Sequence, residues 1–217
     1  MRVRVDLNIS LDGFATSEGS TPESPMGPDW ERLTGAYVAT RTFRRRVFGD
    51  ESGAGTVGVD DAYAARYFEG IGAEVMGAGM FGLHHFPDDP EWRGWWGDAP
   101  PFHYPVIVLT HRRTGDLDFS DGTSFHFRDL SARDALDVAR DLAKGADVRV
   151  GGGPSTVRQF LREGLVDSLH VAIAPIILGR GVNLWSGLRD VTRDFTVHSE
   201  VAESGTVHVT WSRDSIL

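Results

Sequence analysis

The sequence predicts an α/β fold, in which strands of a largely parallel sheet alternate with helices and the chain ends on an antiparallel pair. Three observations carry this. Short apolar or alternating runs recur at Val3 to Ile9, from about Ala73 to Met76, at Val106 to Leu109, at Val148 to Val150 and at Leu169 to Ile177. Stretches with the helical repeat lie between them, clearest over 131–144 and from Pro154 to Leu161. Two of the strands run directly into glycine turns, Gly77-Ala78-Gly79 and Gly151-Gly152-Gly153, as strand-to-helix connections of open sheets do.

Along the chain, Val3, Val5, Leu7 and Ile9 alternate with Arg2, Arg4, Asp6 and Asn8, the period of a strand with one buried face. It ends in Ser10-Leu11-Asp12-Gly13-Phe14, which puts Asp12 beyond the carboxyl end of a strand, where open sheets bind ligands. A plain Asp-Gly turn is the other reading. Residues Ala15 to Asp29 are rich in Ser, Gly, Pro and Glu and read as a loop over that strand end, a candidate lid. One helical pattern runs from Trp30 through Leu33, Tyr37 and Val38 towards Phe43, with Asp29 as its N-cap. After the glycine-rich interval 49–58, Asp60 or Asp61 is expected to cap a helix whose Tyr63, Tyr67 and Phe68 read as core.

The strand before Gly77 leads into a possible helical turn at Ala78 to Gly82. Trp92, Trp95 and Trp96 then stand in an irregular segment carrying more apolar area than a loop needs. A subunit contact, a cavity wall and a cap on the domain's own core are all open. Pro105 to Thr110 is apolar enough for a strand buried on both faces, and it ends in Thr110-His111-Arg112-Arg113. A hydroxyl and guanidinium groups at that position suit an adenosine 2′-phosphate, which points to NADP over NAD; solvent-facing turn residues are the alternative. Phe125 to Phe127 reads as a short strand, and 131–144 as a helix burying Ala135, Leu136, Val138, Ala139 and Leu142 before Gly145 ends it. After the triple glycine, Ser155 and Thr156 stand where a helix begins and its N–H groups are free for an anion. No Lys follows, so this is not a P-loop. Phe195 to Val201 and Thr206 to Trp211 form the closing hairpin.

With 217 residues, 41% of them hydrophobic, and no linker-like stretch, a single domain over 1–217 is expected. A net charge of −9 argues against nucleic-acid and anionic-membrane partners, and the cluster Arg41, Arg44, Arg45 and Arg46 reads as a solvated helix face. Cysteine is absent, which excludes disulfides, thiolate metal sites and cysteine nucleophiles. His84 and His85 are adjacent, with no carboxylate at ligand spacing, so no metal is expected. Without an apolar signal core or membrane-length segment, a cytoplasmic location is expected.

Five motifs in this order carry a resemblance that spans nearly the whole chain. They are Ser10-Leu11-Asp12-Gly13-Phe14, Val75 to Phe81, Val108-Leu109-Thr110-His111, Gly151-Gly152-Gly153 with Gly164 to Leu169, and Pro175 to Gly181. The set resembles the dihydrofolate reductase-like oxidoreductases that share the fold of the riboflavin-biosynthesis reductase domain. The resemblance implies a three-layer sandwich: a central mixed, mostly parallel sheet of about eight strands with helices on both faces. It implies NADPH as cofactor and hydride transfer to a small heterocyclic or carbonyl substrate. Gly77, Ala78, Gly79, Met80 and Phe81 would hold the diphosphate, and Thr110, His111 and Arg112 the 2′-phosphate and adenosine. Gly151, Gly152, Gly153, Ser155 and Thr156 would meet the diphosphate and nicotinamide ribose. Asp12 would lie near the nicotinamide and substrate, with Phe14, Trp30 and Gly179 on the substrate side. A homodimer is also implied. No acidic residue on the first long helix clearly matches the one that grips a pterin.

Hydride transfer asks the protein for placement, exclusion of water and a proton donor. Asp12 is the candidate that orients or protonates the substrate, the latter requiring burial to raise its pKa. The alternative from another class is a non-catalytic NADP(H)-binding or sensor protein.

Overall fold

The structure, a computed structural model, describes residues 1–16, 27–84, 89–112 and 115–213. Most of the expected loop over 15–29 lies outside the described residues, as do His85 and Arg113. In chain order the elements are β1 (Val3–Ser10), α1 (Trp30–Val38), α2 (Arg41–Phe48), α3 (Val59–Phe68), β2 (Ile71–Gly77), α4 (Ala78–Phe81), β3 (Pro105–Leu109), β4 (Leu117–Asp118), β5 (Ser124–Arg128), α5 (Ala132–Ala143), β6 (Asp147–Gly152), α6 (Pro154–Arg162), β7 (Ser168–Ala174), β8 (Thr196–Val201) and β9 (Val207–Ser212). Among the described residues nine strands form a mixed sheet in place of the eight or so expected; the addition is the two-residue edge strand β4, too short to leave a periodic signal. The chain divides into two compact units, Met1–Val5 with Gly70–Asp167, and Asp6–Glu69 with Ser168–Leu217.

In the first unit the strand order is β4-β5-β3-β2-β6-β1. Only β4 runs antiparallel to its neighbour. Val106, Ile107 and Val108 are fully buried, as their continuous apolar run requires. Helix α5 packs on β2, β3 and β6 through Ala132, Ala135, Leu136, Ala139 and Ala143. Ser131 caps it by accepting from the Asp134 N–H at 3.1 Å. Val138, expected inside, is 39% exposed, because Leu136 and the small alanines already fill the stripe facing the sheet. On another part of the unit, Phe81, Phe102, Phe125 and Phe127 form an aromatic core against which Trp92 and Trp96 pack. The Trp-rich segment therefore caps the unit's own core.

Inside this unit Arg149 and Glu74 are 1% and 0% exposed and stand opposite each other on β6 and β2. The Arg149 guanidinium donates to Glu74 Oε2 through Nε at 3.0 Å and also through Nη2, and the Tyr104 hydroxyl donates to the same oxygen at 3.1 Å.

The second unit holds strands in the order β1-β7-β9-β8, with β9 antiparallel to both β7 and β8. The helical pattern expected from Trp30 to Phe43 is split. Thr40 is extended, its hydroxyl accepts from the Phe43 N–H at 3.1 Å, and α2 starts afresh there. Asp29 stands at the start of α1 but makes no side-chain cap; its carboxylate instead accepts from Arg32 at 2.7 Å. Neither Asp60 nor Asp61 caps α3. Gly58 holds that position, and both carboxylates face distant partners, Asp60 at His208 and Asp61 at the Thr42 N–H.

Removing one partner of a buried ion pair strands the other charge. Glu74→Ala is expected to lower stability in urea unfolding by about 3–5 kcal/mol, whereas Glu74→Leu with Arg149→Met recovers most of that loss.

Candidate functional site

Parallel pairing sets the carboxyl ends of β3, β2 and β6 side by side. Leu109 faces Gly77 across one ladder, and Met76 faces Gly152 across the next. Three segments remote in sequence thereby become neighbours in the first unit: Thr110 to Arg112 after β3, Gly77 to Phe81 after β2, and Gly151 to Thr156 after β6. The crevice beyond such strand ends is where open α/β sheets receive ligands.

Each glycine there has its own reason. A Cβ on Gly151 would fall inside the Glu74 carboxylate, so its missing side chain serves the buried ion pair and not a ligand. Gly152 has φ +130°, and the Gly152–Gly153 peptide is cis. A Cβ on Gly153 would meet nothing within 4 Å, which leaves that backbone open. A Cβ on Gly77 would overlap the Thr156 hydroxyl, the direct sign that the two glycine turns touch. Helix α6 follows, nine residues with Pro154 in its first turn, Gly153 at its N-cap and, among the described residues, no side-chain cap. Behind α4, the Trp92 and Trp95 indoles donate to the carbonyls of Phe81 (3.0 Å) and Met80 (2.8 Å).

Thr110 is buried. Its N–H donates to the Arg128 carbonyl at 2.9 Å, and its hydroxyl accepts from the Arg112 N–H at 3.0 Å, which turns the chain beyond β3. His111 is a surface group, its Nδ1 2.7 Å from Asp129 Oδ1.

The second unit gathers Asp12, Phe14 and Gly179. Asp12 accepts from the Ser10 hydroxyl (2.5 Å), the Leu178 N–H (3.1 Å) and the Gly179 N–H (2.7 Å). Phe14 pairs with Asn183, and its N–H donates to the Ser10 hydroxyl at 3.0 Å. The Asn183 amide returns a bond to the Asp12 carbonyl at 3.0 Å. Trp30 is half-buried at the start of α1, next to Asp29, which pairs with Arg180 of the same turn at 3.5 Å. The Ser10 hydroxyl, with the Leu178 and Gly179 N–H groups, holds the Asp12 carboxyl below its ordinary value against the opposing effect of desolvation. A proton donor needs the opposite shift, so the geometry keeps Asp12 ionised and makes it the staple of the Leu178–Gly179 turn.

A pocket with no local signature in the sequence lies in this unit, lined by Asn8, Leu33, Tyr37, Tyr63 and Thr206, by the buried Asp60 and His208 and by the partly buried Asp6 and His170. The Tyr63 hydroxyl is buried there with no hydrogen-bond partner among the described residues. No local spacing links these positions, which meet only through the β7–β9 ladder and the packing of α3.

The contact between the two glycine turns is testable. Gly77→Ala is expected to cost about 1–3 kcal/mol of stability by overpacking against Thr156, and adding Thr156→Ala, which removes the overlapped hydroxyl, recovers most of it in thermal unfolding.

No curated protein matches the sequence. Among solved structures, a protein from Shewanella sp. PV-4 provisionally described as a riboflavin biosynthesis protein superimposes with a TM-score of 0.60 at 23% identity, over 99% of each chain. A pyrimidine reductase-like protein from Corynebacterium diphtheriae gives 0.50 at 18% identity, over 97% of this chain and 91% of that one. Dihydrofolate reductase from Enterococcus faecalis, complexed with NADP(H) and RAB-propyl, gives 0.51 at 11% identity, over 99% and 97%. At such identities these likenesses speak to the fold. The profile of the RibD C-terminal domain covers residues 2–208, and with that match the chain belongs to the RibD C-terminal domain family.

Proposed function

We propose that this protein is a reductase that takes a hydride from NADPH to a small heterocyclic or carbonyl substrate. The observation that carries the reading is the strand order β3-β2-β6, which lines up Thr110 to Arg112, Gly77 to Phe81 and Gly151 to Thr156 along one sheet edge. Family membership and the NADP(H) of the Enterococcus faecalis structure support it. The residues present fit a dinucleotide: the backbone at Gly153 is open, and among the described residues no side chain caps the start of α6.

In this reading the N–H groups at the start of α6 and the Gly77 to Phe81 turn receive the diphosphate. The Thr110 hydroxyl shapes the turn that presents Arg112 to the 2′-phosphate, and His111 flanks the adenosine. NADPH, when bound, supplies the hydride. Asp12, held ionised, orients the substrate through the turn it fastens and does not protonate it. Phe14, Trp30 and Gly179 contribute to the substrate side.

Calorimetric titration tests the cofactor assignment. NADPH is expected to bind more tightly than NADH, and Arg112→Ala to weaken NADPH about tenfold (~1.4 kcal/mol) while leaving NADH unchanged. Equal binding of the two cofactors would remove the 2′-phosphate role. With pterins, quinones and aminopyrimidines offered as substrates, Asp12→Asn is expected to keep NADPH affinity and slow NADPH oxidation. Equal turnover would take Asp12 out of the mechanism, and NADPH binding with no oxidation of any of these compounds would favour a sensor.

A further inference from the structure

Four polar groups of the second unit, Asp60 and His208 buried and Asp6 and His170 partly buried, form one hydrogen-bonded chain. Asp6 Oδ1 lies 3.1 Å from His170 Nδ1, His170 Nε2 lies 3.0 Å from His208 Nδ1, and His208 Nε2 lies 2.9 Å from Asp60 Oδ1. The chain ties together β1, β7, β9 and α3, and its side chains are only 5% to 13% exposed. The Tyr63 ring lies flat over both imidazoles, 4.5 Å and 4.1 Å between centres, and the Arg66 guanidinium sits 4.9 Å from the centre of the same ring. Every imidazole nitrogen is engaged, so none is left to ligate a metal. The reductase reading uses none of these groups.

The two ends set the proton count. Ionised carboxylates only accept, so each imidazole must turn an N–H towards its own aspartate. Two neutral rings have no further N–H to give. His170 Nε2 and His208 Nδ1 would then face each other as lone pairs at 3.0 Å, a repulsive contact between two desolvated acceptors. A third proton in the central bond removes the conflict. We infer that the Asp6–His170–His208–Asp60 chain holds three protons at neutral pH, one more than two neutral imidazoles carry, and that this proton fastens α3 to the sheet.

The chain then carries one net negative charge, whether the third proton rests on a ring or shifts onto a carboxylate. Burial pushes His208 down from the ordinary imidazole value, with the Asp60 hydrogen bond working against it, which suits a neutral ring there. The other charged and titratable groups around the chain are Glu200 on β8, paired across the ladder with His208, Arg66 on α3, and the phenols of Tyr37, Tyr63 and Tyr67 on α1 and α3. Unfolded imidazoles titrate near ~6.5. The folded chain keeps a proton that the unfolded one gives up above that pH. Its contribution to stability is therefore complete below about pH 6.5 and is lost as the pH rises through the folded chain's own titration.

Asp60→Asn isolates the effect. The amide keeps the shape but offers an N–H to His208 Nε2, so donors run one way through two neutral rings to Asp6 and no third proton is needed. Asp6→Asn does the same from the other end and serves if the first variant folds poorly. The measurements are ring-nitrogen and carboxyl-carbon NMR and α3 amide exchange, corrected for base catalysis, on the full chain from about pH 5 to pH 9. The expected result at pH 7 is three protons on the wild-type chain and two neutral rings in the variant. Wild-type α3 protection should fall about tenfold or more between pH 6 and pH 9 while the variant stays level. Two neutral wild-type rings between two ionised aspartates at pH 7, read from ring-nitrogen together with carboxyl-carbon NMR, or the same pH dependence in both proteins, would overturn the inference. Neither readout depends on cofactor or turnover.

Discussion

The buried pair of Glu74 and Arg149 is the constraint on which the first unit turns. The two residues face each other across β2 and β6, so the pair fixes which residue of one strand meets which of the other. A slip by one residue would carry Arg149 to the opposite face and leave both charges unmatched in a dry interior, a far larger penalty than any apolar contact could offset. Once that register is set, Gly77 and Gly152 must end their strands where they do, and the turns that follow them must touch. Glycine at 151 belongs to the same constraint, because the Glu74 carboxylate occupies the space a side chain would need.

The second unit is organised by a different kind of polar group. Asp12 collects one hydroxyl and two backbone N–H groups, and so ties the end of β1 to the turn at Leu178 and Gly179. Such a carboxylate is well suited to holding a loop in shape and poorly suited to giving up a proton. The chain of aspartates and histidines beneath α3 is the reverse case, a set of groups whose geometry is complete only when a proton is retained.

Much of this fold was legible in the sequence because the signals were local. The alternation of Val3 to Ile9, the unbroken run at Val106 to Leu109 and the glycines after β2 and β6 each reflect burial or backbone demand within a few residues. The lateral order of β3, β2 and β6, which brings three modest motifs side by side, is a property of the sheet and has no trace in spacing. The same division explains the misreadings. Thr40 breaks the first helix because its neighbours Ala39 and Arg41 exchange backbone hydrogen bonds with Thr56; its own sequence signal, a hydroxyl residue before Arg-Thr-Phe, was present but outweighed by the apolar period. Asp60 and Asp61 looked like caps because aspartate near a helix start usually is one, yet their partners lie far along the chain or in another helix. His170 and His208 left no signal because they meet only through an antiparallel register. The position of Asp12 was readable but its electrostatics was not, since two of its donors are backbone N–H groups of a distant turn.

The tryptophans behind α4 have a spectroscopic side. Trp92 and Trp95 stand edge to face with ring centres 4.7 Å apart, and both are hydrogen-bonded to the carbonyls that close the helical turn after Gly77. Two indoles held this close couple their electronic transitions, and both report on one short piece of backbone. The turn that distinguishes this strand end thus carries its own chromophore, and its geometry is written into the near-ultraviolet dichroism of the protein.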